Sequence, residues 1–368
     1  MRVILISFVI LILILSACKD NTVTEETLPL GFTSYNCYPG ANPNIWAHDC
    51  NDYCLYGIYF IDRKHGWILV GNDSILRTTD GGKNWEKYFV EHSESHGYTF
   101  IGHFRSLYFR DTLNGLVGDA NNGLFITSDG GCSWSKKVLF SEQMGRAINI
   151  IQFTDELTGW ATLTYWGSDD VIIKTTDGGN NWEINLSDIE DGIDNLHFIN
   201  KSTAFFKTFN RISNKTNSCI YKTSDEGKTW NVILKDTIAF YQLYFLNENY
   251  AWIRTDDYKF LRTTDGGLNW FYQNYNSERY ISKLTFVDET HGWGISSLPN
   301  VLFGGTEYHL ISYTEDGGIN WLPLNYWVSL WEPNGIVHFH DLFFFDKNEG
   351  FISGSKGVIL HTTTGGKP

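Results

Sequence analysis

The stretch Ser74–Trp85 reads SILRTTDGGKNW, and it recurs along the chain. Further copies end at Trp134 (LFITSDGGCSW), Trp182 (IIKTTDGGNNW), Trp230 (IYKTSDEGKTW), Trp270 (FLRTTDGGLNW) and Trp321 (ISYTEDGGINW). A seventh, ILHTTTGGKP, runs to Pro368 with Thr364 in place of the aspartate. The shared aspartates are Asp80, Asp129, Asp177, Asp225, Asp265 and Asp316, spaced 40 to 51 residues apart. In a chain rich in short alternating apolar runs, a period of this size means propeller blades.

Each copy carries its own local chemistry. A run such as Ile75-Leu76-Arg77-Thr78 suits a strand. Asp-Gly-Gly then forces a turn, because Asp accepts hydrogen bonds from backbone N–H groups just downstream and Gly adopts positive φ without a steric penalty. Trp opens the returning strand and covers the hairpin with a large apolar ring. The pattern resembles the Asp box, or bacterial neuraminidase repeat. Seven equivalent turns cannot all be one active site, so these aspartates are expected to staple hairpins rather than catalyse or bind metal.

A second motif, Leu-x-Phe-x-Asp/Asn, precedes every box and is followed by Gly-Trp or its like. Examples are Ile58-Tyr59-Phe60-Ile61-Asp62 before Gly66-Trp67 and Leu284-Thr285-Phe286-Val287-Asp288 before Gly292-Trp293. Seven such starts give an all-β, seven-bladed propeller of four-stranded blades. The seventh blade ends at its box, so its fourth strand is expected from the N-terminus. Asn44-Ile45-Trp46 lies 14 residues before Phe60 and echoes the end of the box, which points to closure around Trp46. On that reading, loss of residues 19–40 is tolerated and loss of 19–48 opens the ring.

Residues 1–17 read as a secretory signal, too short for a comfortable membrane span. Leu15-Ser16-Ala17-Cys18 resembles the bacterial lipobox, with Cys18 as the lipidated residue. Lys19 after it is expected to direct the protein to the outer membrane. Residues 18–40 are then the lipidated Cys and a flexible tether, and 41–368 the propeller. With a formal net charge of -14 there is no basic footprint for nucleic acid. Export permits disulfides: Cys37, Cys50 and Cys54 can form one bridge of unassigned connectivity, and a zinc site from these with His48 is the weaker alternative. Cys132 and Cys219 fall on different blades and are not expected to pair.

The paired pattern, as in GWILVGNDSILRTTDGGKNW (66–85) and GFISGSKGVILHTTTGGKP (350–368), resembles the photosystem II stability/assembly factor family over about residues 44–368. That resemblance implies a non-enzymatic protein that binds a protein partner. Family recognition leans on an arginine-rich face, from which this acidic chain departs, and its lipobox is a further departure. The enzyme alternative is a glycoside hydrolase, sialidase-like or xyloglucanase-like. The arginine clamp of sialidases is missing, and the two-propeller arrangement of xyloglucanases needs a longer chain. The acidic pairs Asp169-Asp170 and Asp256-Asp257 read as solvated loop residues, and His338 and His340 as structural residues of blade seven. No catalytic residue, metal site or cofactor is expected.

In a four-stranded blade, the turns after strands one and three share one face and the loops after strands two and four the other. Here the first set is short and uniform. The second varies in length and carries aromatics beside charges: Tyr165, Trp166 and Asp170; Arg254 and Asp256; Trp327 and Trp331. Variable loops on a rigid scaffold carry specificity, and Trp and Arg dominate hot spots. These seven residues are the expected ligand-binding set for a protein or glycan partner, on a monomer held at the membrane by its lipid.

Overall fold

The computed structural model describes residues 14–18, 21–28, 32–36, 54–71, 74–90, 104–140, 146–164, 169–189, 192–209, 218–256, 259–273, 280–297, 309–324 and 338–367. Seven antiparallel sheets follow one another in chain order, six of them four-stranded. Blade one is Leu55–Phe60, Gly66–Val70, Ser74–Thr78 and Glu86–Phe89. Blades two to six repeat that order from Phe104–Phe109 to Leu322–Pro323. Blade seven is built from Phe339–Phe344, Gly350–Gly354 and Val358–Thr362. Among the described residues the sole helical piece is the 3-10 turn Ser355–Gly357, and no helix is long and apolar enough to cross a membrane. The seven-bladed, almost helix-free propeller read from the repeats is therefore the fold.

The fourth strand of blade seven comes from the N-terminus, but not from where the sequence points. Phe32–Asn36 pairs antiparallel with Val358–Thr362, Phe32 opposite Thr362 and Asn36 opposite Val358. Asn21–Leu28 and Ile14–Cys18 extend the same sheet outward. Residues 18–40 thus contain two paired strands where a flexible tether is expected, and Trp46 lies outside the described residues. The physical cue is the β-branched and aromatic content of TVTEET and FTSY, which suits a pleated surface even without a fully apolar face.

The core is a series of wedges between blades. The second-strand aromatic of one blade stacks flat on the first-strand Phe of the next. Trp67 lies on Phe109 with centroids 3.6 Å apart, Phe205 on Phe245 at 3.8 Å, Trp252 on Phe286 at 3.7 Å, and Trp293 on Phe344 at 3.9 Å. Trp160 on Phe198 at 4.4 Å and Phe351 on Phe60 at 4.5 Å complete six junctions, the last closing blade seven onto blade one. Between blades two and three Leu116 takes the aromatic's place, beside Phe153. The Gly before Trp67, Trp160 and Trp293 has a steric cause: a β-carbon at Gly159, for example, would sit 2.6 Å from the Phe153 ring.

Candidate functional site

On the turn face, each Asp–Gly turn is a closed hydrogen-bond unit. Thr78 Oγ1 donates to Asp80 Oδ1 (2.9 Å) and accepts from Gly82 N (2.9 Å). Asn84 donates from its backbone to Asp80 Oδ1 (2.9 Å) and from Nδ2 to Oδ2 (2.6 Å). The same bonds recur at Asp129, Asp177, Asp225, Asp265 and Asp316. The Ser133 hydroxyl holds Asp129 down to about 2, and the Thr229 hydroxyl does the same for Asp225. These carboxylates are ionised and engaged on both oxygens, which suits a staple and not a proton donor. In the seventh turn Thr364 replaces the acid, and its hydroxyl donates to Lys367 O (2.6 Å).

Neighbouring turns are stitched together across the same face. Trp67, Trp252 and Trp293 donate from Nε1 to the carbonyls of Gly130, Gly317 and Gly365 on the following blade, at 2.9, 2.7 and 3.0 Å. Lys222 and Arg262 reach the carbonyls of Gly266 (3.1 Å) and Glu289 (3.0 Å) in the same direction. Arg63 bridges back from blade one to Asp346 and Glu349 of blade seven. A cleft of about 570 Å³ between blades three and four is lined by Asp155, Glu156, Leu157, Lys174, Lys201 and Glu226.

On the loop face, Tyr165, Trp166, Trp327 and Trp331 lie outside the described residues. Asp170 is fully buried, and its carboxylate accepts from Ile193 N at 2.6 Å, clamping blade three to blade four. Arg254 is 2% exposed, with its guanidinium 4.4 Å from the centre of the Tyr241 ring. Neither side chain is displayed on a loop, because Asp170 opens the strand Asp170–Thr175 and Arg254 sits inside Ala251–Thr255. Asp256, just beyond its strand, is exposed, and its backbone N–H donates to Ala239 O at 3.0 Å. The structure therefore does not gather the seven residues into one described site.

A different constellation surrounds the central channel. Every innermost strand carries a register shift at the same place: at Tyr56-Gly57, Arg105, Asn149, Asp194, Tyr241, Ser282 and His340. A bulge takes a residue out of the ladder and re-aims its side chain. Two of these residues touch across blades, the Tyr56 and His340 rings meeting edge-on at 5.3 Å. The buried ammonium of Lys207 bonds Asp194 and the carbonyls of Phe240 (2.6 Å) and Tyr241 (3.0 Å), tying bulge to bulge. Desolvation lowers the Lys207 pKa against the pull of Asp194, and Arg254 nearby pushes the same way.

The bulges are a feature that motif reading misses, yet they leave a trace. Leu55 and Ile58, Phe104 and Leu107, Ile148 and Ile151, Ile193 and Leu196, Phe240 and Leu243, Ile281 and Leu284, and Phe339 and Leu342 are all three apart. Unbroken strand alternation requires an even spacing.

Cys132 is exposed on a blade-two turn and Cys219 is buried in blade four, so they do not pair. Cys54 is buried, while Cys37 and Cys50 lie outside the described residues. Among the described residues no group of His, Cys, Asp and Glu is placed to hold a metal ion.

Fold and stitching define a closed, single-ring propeller with a self-satisfied turn face, the class in which rigid rings present loops and a channel mouth to partners. The sequence matches the family described as Photosynthesis system II assembly factor YCF48 over residues 46–105 and 102–243, more than half the chain, and it belongs to that family. Two solved structures are similar in fold. One, described as YCF48 bound to D1 peptide, has a TM-score of 0.66 and 19% identity, covering 91% of this chain and 97% of that one. YCF48 from Cyanidioschyzon merolae has a TM-score of 0.63 and 17% identity, covering 85% and 96%. The GH74 xyloglucanase from Xanthomonas campestris is more distant: TM-score 0.58 and 11% identity, covering 92% of this chain but 57% of that one. No curated protein matches.

Proposed function

We propose that this protein is a lipid-anchored, extracytoplasmic binding scaffold that assists the assembly or stability of envelope proteins. Membership of the YCF48 family carries the reading, and a YCF48 has been captured with a D1 peptide. The turn chemistry is consistent with it, since the repeated carboxylates are spent on hairpins. The anchor rests on the leader 1–17 and Cys18, with the outer membrane as destination. Asp256 and the loop aromatics Tyr165, Trp166, Trp327 and Trp331 remain the loop-face contacts of the proposal; Asp170 and Arg254 serve packing instead.

Crosslinking in intact cells followed by pull-down is the test. Recovery of a defined envelope protein, lost on Trp166→Ala/Trp327→Ala/Trp331→Ala with an unchanged melting temperature, is the expected result. Reducing ends released from a glycan panel, with no protein recovered, would replace the scaffold by the hydrolase. Radiolabelled palmitate entering the wild type but not Cys18→Ser checks the anchor.

A further inference from the structure

We propose that Asn21–Leu28, outermost in blade seven once the leader is removed, is a docking edge. An extended segment of the partner adds there as a further strand, with adjacent Lys or Arg residues opposite Glu25 and Glu26. This deepens the protein-binding reading, and it rests on that reading and on processing at Cys18.

In the unprocessed chain the leader itself occupies this edge. Ile14–Cys18 lies antiparallel on Asn21–Leu28, with Ile14 opposite Thr24 and Cys18 opposite Asn21. Its ladder is short and broken by a register shift between Leu15 and Cys18. Processing before Cys18 takes away all of this strand but its last residue. Asn21–Leu28 keeps its other neighbour: Thr24–Leu28 pairs without a shift to Phe32–Asn36, which pairs in turn with Val358–Thr362. Among the described residues no further strand pairs with it. The processed protein therefore turns a row of backbone N–H and C=O groups outward.

The other six blades guard their outermost strands. Glu86–Phe89 carries Lys87, Ser135–Val138 carries Lys136 and Lys137, and Asn231–Asp236 carries Lys235. The ladder of Glu183–Ile189 is interrupted by two register shifts. Phe271–Gln273 and Leu322–Pro323 are three and two residues long, and the second ends in proline. Lysine, irregularity, shortness and proline are the usual means of keeping an edge from recruiting a strand. Asn21–Leu28 has none of them. It is the longest strand among the described residues, and NTVTEETL contains three Thr and a Val but no Lys, Pro or Gly.

Its two charges select the occupant. If two copies paired antiparallel along this whole strand, Glu25 would oppose Thr24 and Glu26 would oppose Val23, gathering the glutamates of both copies at the centre. Like charges that close destabilise a strand pair, and the formal net charge of -14 opposes a second copy further. A basic segment meets the reverse situation. Successive residues of a strand belong to opposite faces, so Glu25 and Glu26 call for two adjacent cations, one to each face. Only residues 19 and 20 lie between Cys18 and the strand, which places the segment near the bilayer and suits a membrane-proximal stretch of an envelope protein. Main-chain bonds then hold the segment, and its basic pair fixes the register.

The test uses the processed, lipidated protein in detergent, its mass first confirming the loss of residues 1–17. Selection from a random dodecapeptide library should enrich sequences rich in Val, Ile and Thr that carry two adjacent Lys or Arg. These peptides should slow hydrogen exchange of the 21–28 amides by roughly tenfold or more. They should bind Cys18→Ser, shown by mass to keep its leader, roughly tenfold more weakly. Glu25→Lys/Glu26→Lys should turn the selection toward adjacent Asp or Glu at an unchanged melting temperature. Selected peptides without a basic pair, exchange slowed only elsewhere, a selection unmoved by the charge swap, or an empty selection overturns the docking edge and leaves the protein-binding reading in place. Wild-type dimers in multi-angle scattering, with the 21–28 amides protected, would give the edge to a second copy instead. A wild type that retains residues 1–17 overturns the anchor and the docking edge together.

Discussion

Glu226 stands where the six other turns carry glycine, and it takes the same left-handed backbone, φ 64° beside 68–78° for the glycines. Holding a β-carbon there costs about 1 kcal/mol. What the side chain returns is small: an ion pair of 3.9 Å with Lys174, its carboxylate 38% exposed, worth a few tenths of a kcal/mol at most. Glu226→Gly should therefore stabilise by about 0.5–1 kcal/mol, seen as a higher urea midpoint at constant slope. A lower midpoint would mean that the ion pair outweighs the strain. His197 behaves in the opposite sense. It packs in the channel wall near Phe245, and burial holds its pKa down to about 4 from 6.5. A base with a lowered folded pKa is protonated first in the unfolded chain, so stability is full above pH 6.5 and falls as the pH drops toward 4. The stapling carboxylates, lowered in the fold, lose their contribution further down, from about pH 4 toward 2. A urea-midpoint profile should thus show two descending steps, and His197→Phe should remove the upper one alone.

At the scale of strands and turns, the contacts that hold blade to blade lie between two motifs that the sequence shows separately. Leu-x-Phe and Gly-Trp are each legible by repetition. That the Trp of one blade lies on the Phe of the next is not, because alternation says which face a residue takes and not what it meets there. The odd three-residue apolar spacing was available as a sign of the bulges, but conspicuous turns drew the site assignment to loops instead. Asp170 and Arg254 show the cost: charged residues at loop borders read as displayed, yet each faces a neighbouring element from within a strand. The junction makes a graded prediction. Trp252→Ala removes the stack on Phe286 and the bond to Gly317 O, and should cost about 3–5 kcal/mol in chemical denaturation. Trp252→Phe keeps a ring and loses the indole bond, so it should cost clearly less, about 1–2 kcal/mol. Equal losses would show that the indole bond and not the stack holds the junction.

Over the whole molecule, the blade number and the N-terminal origin of the last strand were legible, because the repeat ends one strand short. Where that strand lies was not, since five residues of mixed polarity leave only a faint periodic signal and Trp46 imitates the end of the turn motif. The consequence reaches the anchor. If Cys18 carries lipid, residues 19 and 20 alone separate it from the paired strand Asn21–Leu28, and the ring sits close to the bilayer rather than on a long leash. Closure through Phe32–Asn36 also reverses the expected effect of truncation. Deleting residues 19–40 removes the partner of Val358–Thr362 and leaves the outer edge of blade seven unpaired. An exposed strand edge recruits other chains. The shortened protein should melt earlier and form larger species in size-exclusion chromatography with multi-angle scattering, whereas deleting 19–30, which spares Phe32–Asn36, should leave a monomeric ring. If the 19–40 deletion melts like the full chain, closure by Phe32–Asn36 is wrong and the segment near Trp46 regains the role.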